Sequence, residues 1–217
     1  MAADGKFAER AGAGMATLHS FYDDADGLWQ RHWWNSANAL ETSIEYLDRT
    51  GDATYADVID NTFEKHRAQN FIINDFNDDE GWWALAWMKA YDRSGDPRHL
   101  DVAKALFEDM RSSWDNTCGG GIWWKRGPQQ NPGDRKKNAI ANELFLKVAA
   151  WLHLRTPGDG GPGSHLEWAQ RTWTWFDGSG MSGERGPAQP LDRVDASGLS
   201  RNRLRRRAGT PTARRSM

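Results

Sequence analysis

Apolar residues recur along the first 181 positions at the three- and four-residue spacing of a helix that buries one face. Phe7–Tyr22 carries Ala11, Met15, Leu18 and Tyr22 on one stripe, and Asn35–Arg49 carries Leu40, Ile44 and Leu47. Thr54–Gln69 follows with Val58, Ile59 and Phe63, then Asp78–Arg93 with Leu85 and Met88. Arg98–Trp114 adds Val102, Leu106, Phe107 and Met110, and Lys136–Leu154 and Ser164–Phe176 complete seven predicted helices. Strand-like alternation is missing, apart from a short extended piece at Phe71–Ile73.

The pattern repeats. Tyr46-Leu47-Asp48-Arg49-Thr50-Gly51-Asp52 matches Tyr91-Asp92-Arg93-Ser94-Gly95-Asp96, and the two glycines stand 44 residues apart. Glycine just past the last helical turn is a stop signal. Each unit therefore reads as helix, Gly-Asp turn, helix, with Gly158-Asp159 as a third such turn. A period near 44 with two helices per unit predicts an α-solenoid or a toroid of helical hairpins. Trp33-Trp34, Trp82-Trp83 and Trp123-Trp124 each fall at or before the start of one helix per unit. In a toroid such ends converge on one aromatic mouth; hydrophobic packing accounts for at least half of these rings.

Composition divides the chain. All 13 tryptophans lie between Trp29 and Trp175, while residues 182–217 hold no aromatic residue and nine arginines against three acids, a charge of +6. The remainder, with 19 basic and 27 acidic residues, carries −8. The expected domains are therefore a helical body, 1–181, and an arginine-rich disordered tail, 182–217. The tail has no interleaved aromatics, which argues against nucleic acid as its partner. Cys118 is the single cysteine, which excludes an internal disulfide and suits a small packing residue. The first residues lack the apolar core of a signal peptide, and no run reaches the ~18 apolar residues of a membrane span. The chain as written is thus expected to be cytoplasmic, or secreted if a leader has been lost.

The chemistry concentrates at Asn77-Asp78-Asp79-Glu80-Gly81-Trp82-Trp83. Two carboxyl groups beside indole surface can break a glycosidic bond, one protonating the leaving oxygen and one serving the sugar cation. The competing reading is helix capping, with Asn77 as cap, Glu80 closing a capping box, and Asp78 and Asp79 favouring the positive end of the helix dipole. A calcium loop fails, because Glu80 occupies the place of the turn glycine and Ala86 that of the final glutamate. No metal or cofactor is called for.

These residues are recognisable together. Asn77-Asp78-Asp79-Glu80-Gly81-Trp82-Trp83-Ala84-Leu85-Ala86-Trp87 resembles the signature of glycoside hydrolase family 76, the α-1,6-mannanases. Gly27-Leu28-Trp29, Trp33-Trp34-Asn35-Ser36-Ala37-Asn38-Ala39-Leu40, Cys118-Gly119-Gly120-Gly121-Ile122-Trp123-Trp124 and Lys137-Asn138-Ala139-Ile140-Ala141-Asn142 follow the family's order. The resemblance runs from about Phe7 to Met181, roughly the first half of such a domain. It implies an all-α (α/α)6 toroid, here about seven of twelve helices, that cleaves α-1,6-linked mannan with retention. By resemblance, Asp78 is the nucleophile and Asp79 the general acid/base. Trp82, Trp83, Trp123 and Trp124 are stacking candidates. Asn138 and Asn142, one turn apart, are candidates for bonding sugar hydroxyls, with capping or surface roles as their alternative. Lys136 and Lys137 read as a solvated helix start.

After Met181 the text turns abruptly to Ser-Gly-Glu-Arg-Gly-Pro and arginine-rich sequence, which reads as a truncated or frame-shifted end. An open half-toroid exposes helix faces to self-association and leaves the acids in water, so weak or absent activity is expected. The leading reading is an α-1,6-mannan glycosidase. A non-catalytic carbohydrate-binding remnant is second. A sugar epimerase, which would rest on histidine bases, ranks third, since of six histidines only His32 is close in sequence to a Trp pair.

Overall fold

The computed structural model describes residues 2–127, 131–181 and 193–195. The expectations for the rest of the 182–217 tail lie outside these residues. The chain forms two compact units, Met1–Met110 and Arg111–Met217.

The first unit begins with α1 (Ala2–His19), then a two-strand turn of β1 (Tyr22–Asp23) and β2 (Leu28–Trp29). Helices α2 (Trp33–Thr50), α3 (Asp57–His66), α4 (Asn77–Ser94) and α5 (Pro97–Ser112) follow, the last reaching the unit boundary. Tyr22, expected to end the first helical stripe, lies instead in β1, where its ring packs 4.5 Å from that of Trp29. The second unit contains β3 (Lys136–Asn138), α6 (Ala139–Arg155), α7 (His165–Ser179) and β4 (Arg193–Asp195). Strand β4 pairs antiparallel with β3, Lys137 opposite Val194, so three residues of the basic stretch adopt a structure that composition did not foretell.

The Gly-Asp turns explain the repeat in physical terms. Gly51 (φ 72°) and Gly95 (φ 68°) take the left-handed conformation and return their N–H groups to Leu47 O and Tyr91 O. This ends α2 and α4 in the same way, at a backbone angle that glycine adopts without steric cost. The aspartate after each glycine then caps the next segment. Asp52 Oδ1 accepts from Thr54 N (3.0 Å), and Asp96 Oδ1 accepts from Arg98 N (2.9 Å). At the third turn Asp159 accepts from the backbone of His165 and Leu166, both at 3.1 Å.

Helix α4 packs along α2 at the centre of the first unit. Eleven of its eighteen residues are buried, which marks an inner helix rather than one with a single wet face. Lys89 on α4 pairs with Glu41 (2.8 Å) and Glu45 on α2, and Arg93 pairs with Asp48. Beneath these ion pairs Leu40, Ile44, Leu85, Met88, Trp83 and Trp87 are fully buried. An aromatic side chain buries about 150–250 Å², worth roughly 4–6 kcal/mol at the usual area coefficient.

The extended piece expected at Phe71–Ile73 is a turn. Asn70 (φ 47°) and Phe71 (φ 61°) both lie in the left-handed region, which costs a residue with a Cβ about 1 kcal/mol or more. The compensation is the Phe71 ring, fully buried and 5.0 and 4.7 Å from the rings of Trp83 and Trp87.

Candidate active site

Helix α4 begins with Phe76 as N-cap (φ −98°, ψ 115°), and no side chain caps it. Asn77, expected as the cap, is the first helical residue and is buried completely. The capping box therefore does not form. Asn74 shapes the entry instead: its Oδ1 accepts from Phe76 N (2.9 Å), which turns its amide nitrogen toward Asp79 Oδ2 at 2.5 Å.

Asp79 is 9% exposed, whereas a carboxylate serving only the helix dipole gains nothing from burial. Loss of solvent pushes its carboxyl up to about 6; the Asn74 hydrogen bond works against this rise, and the charge of Asp78 adds to it. Asp78 itself is half-buried. The chain's other consecutive pair, Asp23 and Asp24, differs. Asp24 is exposed, and Asp23 accepts from Ala25 N (2.9 Å) as an ordinary turn residue. Of the two Asp-Asp pairs, only 78 and 79 combine a helix start with a protonatable, buried member.

The tryptophan pairs around this helix start divide by side. Trp33 and Trp83 turn inward, their rings 4.7 Å apart, and Trp83 is fully buried. This corrects the expectation that Trp83 stacks on sugar: successive positions on a helix point about 100° apart, and here the position of Trp83 is the one that meets the core. Trp34 and Trp82 turn outward, with rings 6.5 Å apart and 29° between planes. Trp34 is 45% exposed, and Trp82 is half-buried. His66, 33 positions from Trp33, packs edge-on against it at 5.1 Å. Sequence proximity to the Trp pairs had singled out His32 alone. Burial holds the His66 ring's pKa below its usual value, and its Nε2 lies 2.8 Å from Asp26 O.

The remaining candidates, Trp123, Trp124, Asn138 and Asn142, belong to the second unit, together with Lys137. Lys137 is buried completely rather than solvated. Its Nζ donates to Asp115 Oδ1 (2.6 Å) and to the carbonyls of Asp115 (3.0 Å), Thr117 (2.9 Å) and Gly120 (2.8 Å). Burial pulls its pKa down, and the Asp115 carboxylate resists. Asp115 Oδ2 also accepts from the Trp123 indole nitrogen (2.9 Å), so one ion pair fixes both the loop and that ring. Lys136, in β3 rather than a helix start, places Nζ 3.7 Å from the Trp124 ring centre. Trp123 and Trp124 stay half-buried.

Asn142 is corrected as a sugar-binding candidate. It is fully buried, with Oδ1 accepting from Ile122 N (2.8 Å) and Nδ2 donating to Ile122 O (3.0 Å) and Asn138 O (2.9 Å). A carboxamide committed in this way staples the loop before Trp123. Asn138 is the N-cap of α6, accepting from Ala141 N at 3.3 Å. The Cys118-Gly119-Gly120-Gly121 run has a packing explanation. Trp175 lies flat on it, its indole nitrogen donating to Cys118 O (3.0 Å), and a Cβ on Gly121 would enter the Trp175 ring. Cys118 packs against the Trp175–Phe176–Met181 cluster. Among the described residues no cluster of three His, Cys, Asp or Glu side chains is placed to hold a metal ion.

Comparison with known proteins places this arrangement. The chain is 30% identical to the mannan endo-1,6-alpha-mannosidase DCW1 of Candida albicans over 171 residues, 72% of this chain and 37% of that protein. It is 28% identical to the DCW1 protein of Saccharomyces cerevisiae, over 68% of this chain and 35% of that one. The chain thus spans about a third of the length of these curated relatives. Among solved structures it superposes on the α-1,6-mannanase of Salegentibacter sp. HEL1_6 with a TM-score of 0.70 and 25% identity, covering 87% of this chain and 55% of that one. Dfg5 from Chaetomium thermophilum, solved with glucosamine, shares the fold at a TM-score of 0.73 and 23% identity, over 88% and 52% of the two chains. The helical hairpins are those of the family's (α/α)6 toroid, over part of its circuit. The profile of glycosyl hydrolase family 76 matches residues 8–200, beyond the Met181 limit read from motifs, and the chain belongs to that family.

Proposed function

We propose that the chain carries the catalytic half of an enzyme that hydrolyses α-1,6-linked mannan with retention, using Asp78 as nucleophile and Asp79 as general acid/base. The observation that carries this reading is the buried Asp79 carboxyl, pushed to about 6 beside a second carboxylate at the mouth of α4. A retaining glycosidase needs two carboxyl groups about 5 Å apart, one ionised and one protonated near neutrality. Adjacent positions on a helix start can supply that spacing, and burial of one member supplies the difference in protonation.

In the first step an Asp78 carboxylate oxygen bonds to the anomeric carbon as the glycosidic C–O bond breaks. Asp79 gives its proton to the departing oxygen. In the second, Asp79 takes a proton from water, whose oxygen displaces Asp78 and frees the sugar with its original anomeric configuration. The relatives named for endo-1,6-mannan cleavage support mannan as the substrate class.

The test is release of reducing ends from α-1,6-mannan by the purified 217-residue chain, with the product anomer followed by NMR. Hydrolysis with retention, lost in Asp78→Ala and in Asp79→Ala, supports the reading. Binding of α-1,6-oligomannosides without any product favours a carbohydrate-binding remnant. Neither binding nor hydrolysis sinks both.

A further inference from the structure

We propose that β4, contributed by the arginine-rich stretch, is a strap: it closes the outer edge of β3 and so holds the loop that carries Trp123 and Trp124. The inference concerns the second unit alone and stands whether or not the chain cleaves mannan.

The loop is one row in a narrow ladder of backbone. On one side Trp123 N donates to Ser113 O (3.2 Å), next to a bridge between Trp114 and Ile122. On the other side Trp124 N donates to Lys136 O (2.9 Å), which makes β3 the next row, and β4 pairs antiparallel beyond it. The register sets Lys136 opposite Asp195, Lys137 opposite Val194 and Asn138 opposite Arg193. Peptide groups along a strand face alternate edges, so those of Lys136 and Asn138 point toward the loop and those of Lys137 toward Val194. Asn138 O agrees with this assignment, since it accepts from the Asn142 Nδ2 (2.9 Å) that also reaches Ile122 O.

Lys137 and Val194 are therefore the hydrogen-bonded pair, and they meet where β3 most needs a partner. Lys137 is buried completely, so its backbone N–H and C=O must be satisfied from within the protein. Its ammonium anchors the preceding loop through Asp115, Thr117 and Gly120. Val194 thus fixes the backbone of the residue whose side chain fixes that loop. A three-residue strand gains little stability alone, and an open strand edge is a template for pairing with other chains. An extended segment of the same polypeptide meets both needs, in the way peptides add to exposed sheet edges.

The test is amide hydrogen exchange in the full chain, comparing wild type with Val194→Pro and Val194→Thr. Proline removes the Val194 N–H and with it one bond of the pair, whereas threonine keeps both the N–H and the β-branched shape. The strap predicts that Val194→Pro speeds exchange at Lys137 and Trp124 about fivefold, the worth of one backbone hydrogen bond. Val194→Thr is expected to keep wild-type rates. Ile122, whose N–H is held by Asn142 Oδ1, is expected to keep its rate in both variants. Unchanged exchange at Lys137 in Val194→Pro overturns the strap. So does faster exchange spread equally over Ile122 and α6, because the second unit would then be loosening as a whole. Faster exchange at Lys137 with Trp124 unchanged shows that β4 pairs with β3 without holding the loop, and overturns the proposal as well.

Discussion

Asn74 Nδ2 donates to Asp79 Oδ2 across 2.5 Å, and it is held in that orientation because Asn74 Oδ1 accepts from Phe76 N. The bond favours the charged carboxylate and so opposes the burial that raises Asp79 to about 6. Asp79 must be protonated to serve as general acid, so kcat/KM is expected to fall as pH rises through about 6. Asn74→Ala removes the opposing bond and is expected to move this basic limb upward by about one pH unit, the equivalent of a modest charge-assisted hydrogen bond. A pH–rate profile checks the shift, and a limb that stays in place shows that Asn74 does not tune Asp79.

The same carboxyl sets a stability cost. Its folded pKa, about 6, lies above that of an unfolded aspartate, so the native state holds the extra proton between the two values. Stability from this group is greatest below the unfolded pKa and declines as pH rises through about 6. Asp79→Asn cannot ionise. It is expected to raise stability at pH 7 by about 1–3 kcal/mol and to bring no gain at pH 3. Urea unfolding of both chains at the two pH values measures the difference.

Trp82 and Trp83 are neighbours in sequence with opposite expected consequences. Trp83 is fully buried and contacts Trp33, Phe71 and Trp87, so Trp83→Ala is expected to cost about 3–5 kcal/mol of stability. Trp82→Ala, at a half-buried site on the outer face, is expected to cost about 1 kcal/mol or less while weakening saccharide binding. Paired denaturation curves distinguish them, and equal losses would mean that both rings belong to the core.

Much of this was legible in the residues. The helices follow from apolar spacing, and Gly51 and Gly95 end theirs as the repeat predicts, because only the left-handed backbone fits there. The acid pair stood out because its residue types carry the chemistry. What sequence does not display is direction. Nothing in Trp82-Trp83 says which ring faces inward until α2 and the Phe71 turn are packed beside them. Nothing in Lys136-Lys137 says that one ammonium will be enclosed by three carbonyls and Asp115, since those acceptors come from a loop some twenty positions earlier. Asn142 misled for the same reason: its partner, Ile122, lies 20 residues away, and only the fold shows that its amide is already engaged. Phe71 reads as a strand residue, yet its backbone is left-handed because the core holds its ring.

Gly121 is expected to tolerate no side chain. Its φ of 84° disfavours any residue with a Cβ, and the Trp175 ring occupies the space a methyl would take. Gly121→Ala is expected to destabilise the second unit by about 2–4 kcal/mol, combining backbone strain with overpacking. The near-ultraviolet circular dichroism of the tryptophans should weaken with it. An unchanged melting curve would show that the ring can move aside.

Lys137 offers the last test, because its charge and its position can be separated. The ammonium is the common donor to Asp115, Thr117 and Gly120, so the loop from 115 to 121 is wound around one buried cation. Lys137→Met keeps the apolar stem and removes the charge. Three carbonyls and a carboxylate then lose a donor, at an expected cost of about 3–5 kcal/mol. The consequence should be local before it is global. Amide exchange across residues 115–121 is expected to speed up, and the Trp123 indole, which shares Asp115 with Lys137, should lose its fixed setting. Lys137→Arg retains the charge but brings a planar, larger head into a space matched to an ammonium, so it is expected to recover little. Native exchange rates in Lys137→Met would show that the loop is held by Asn142 and Trp175 alone.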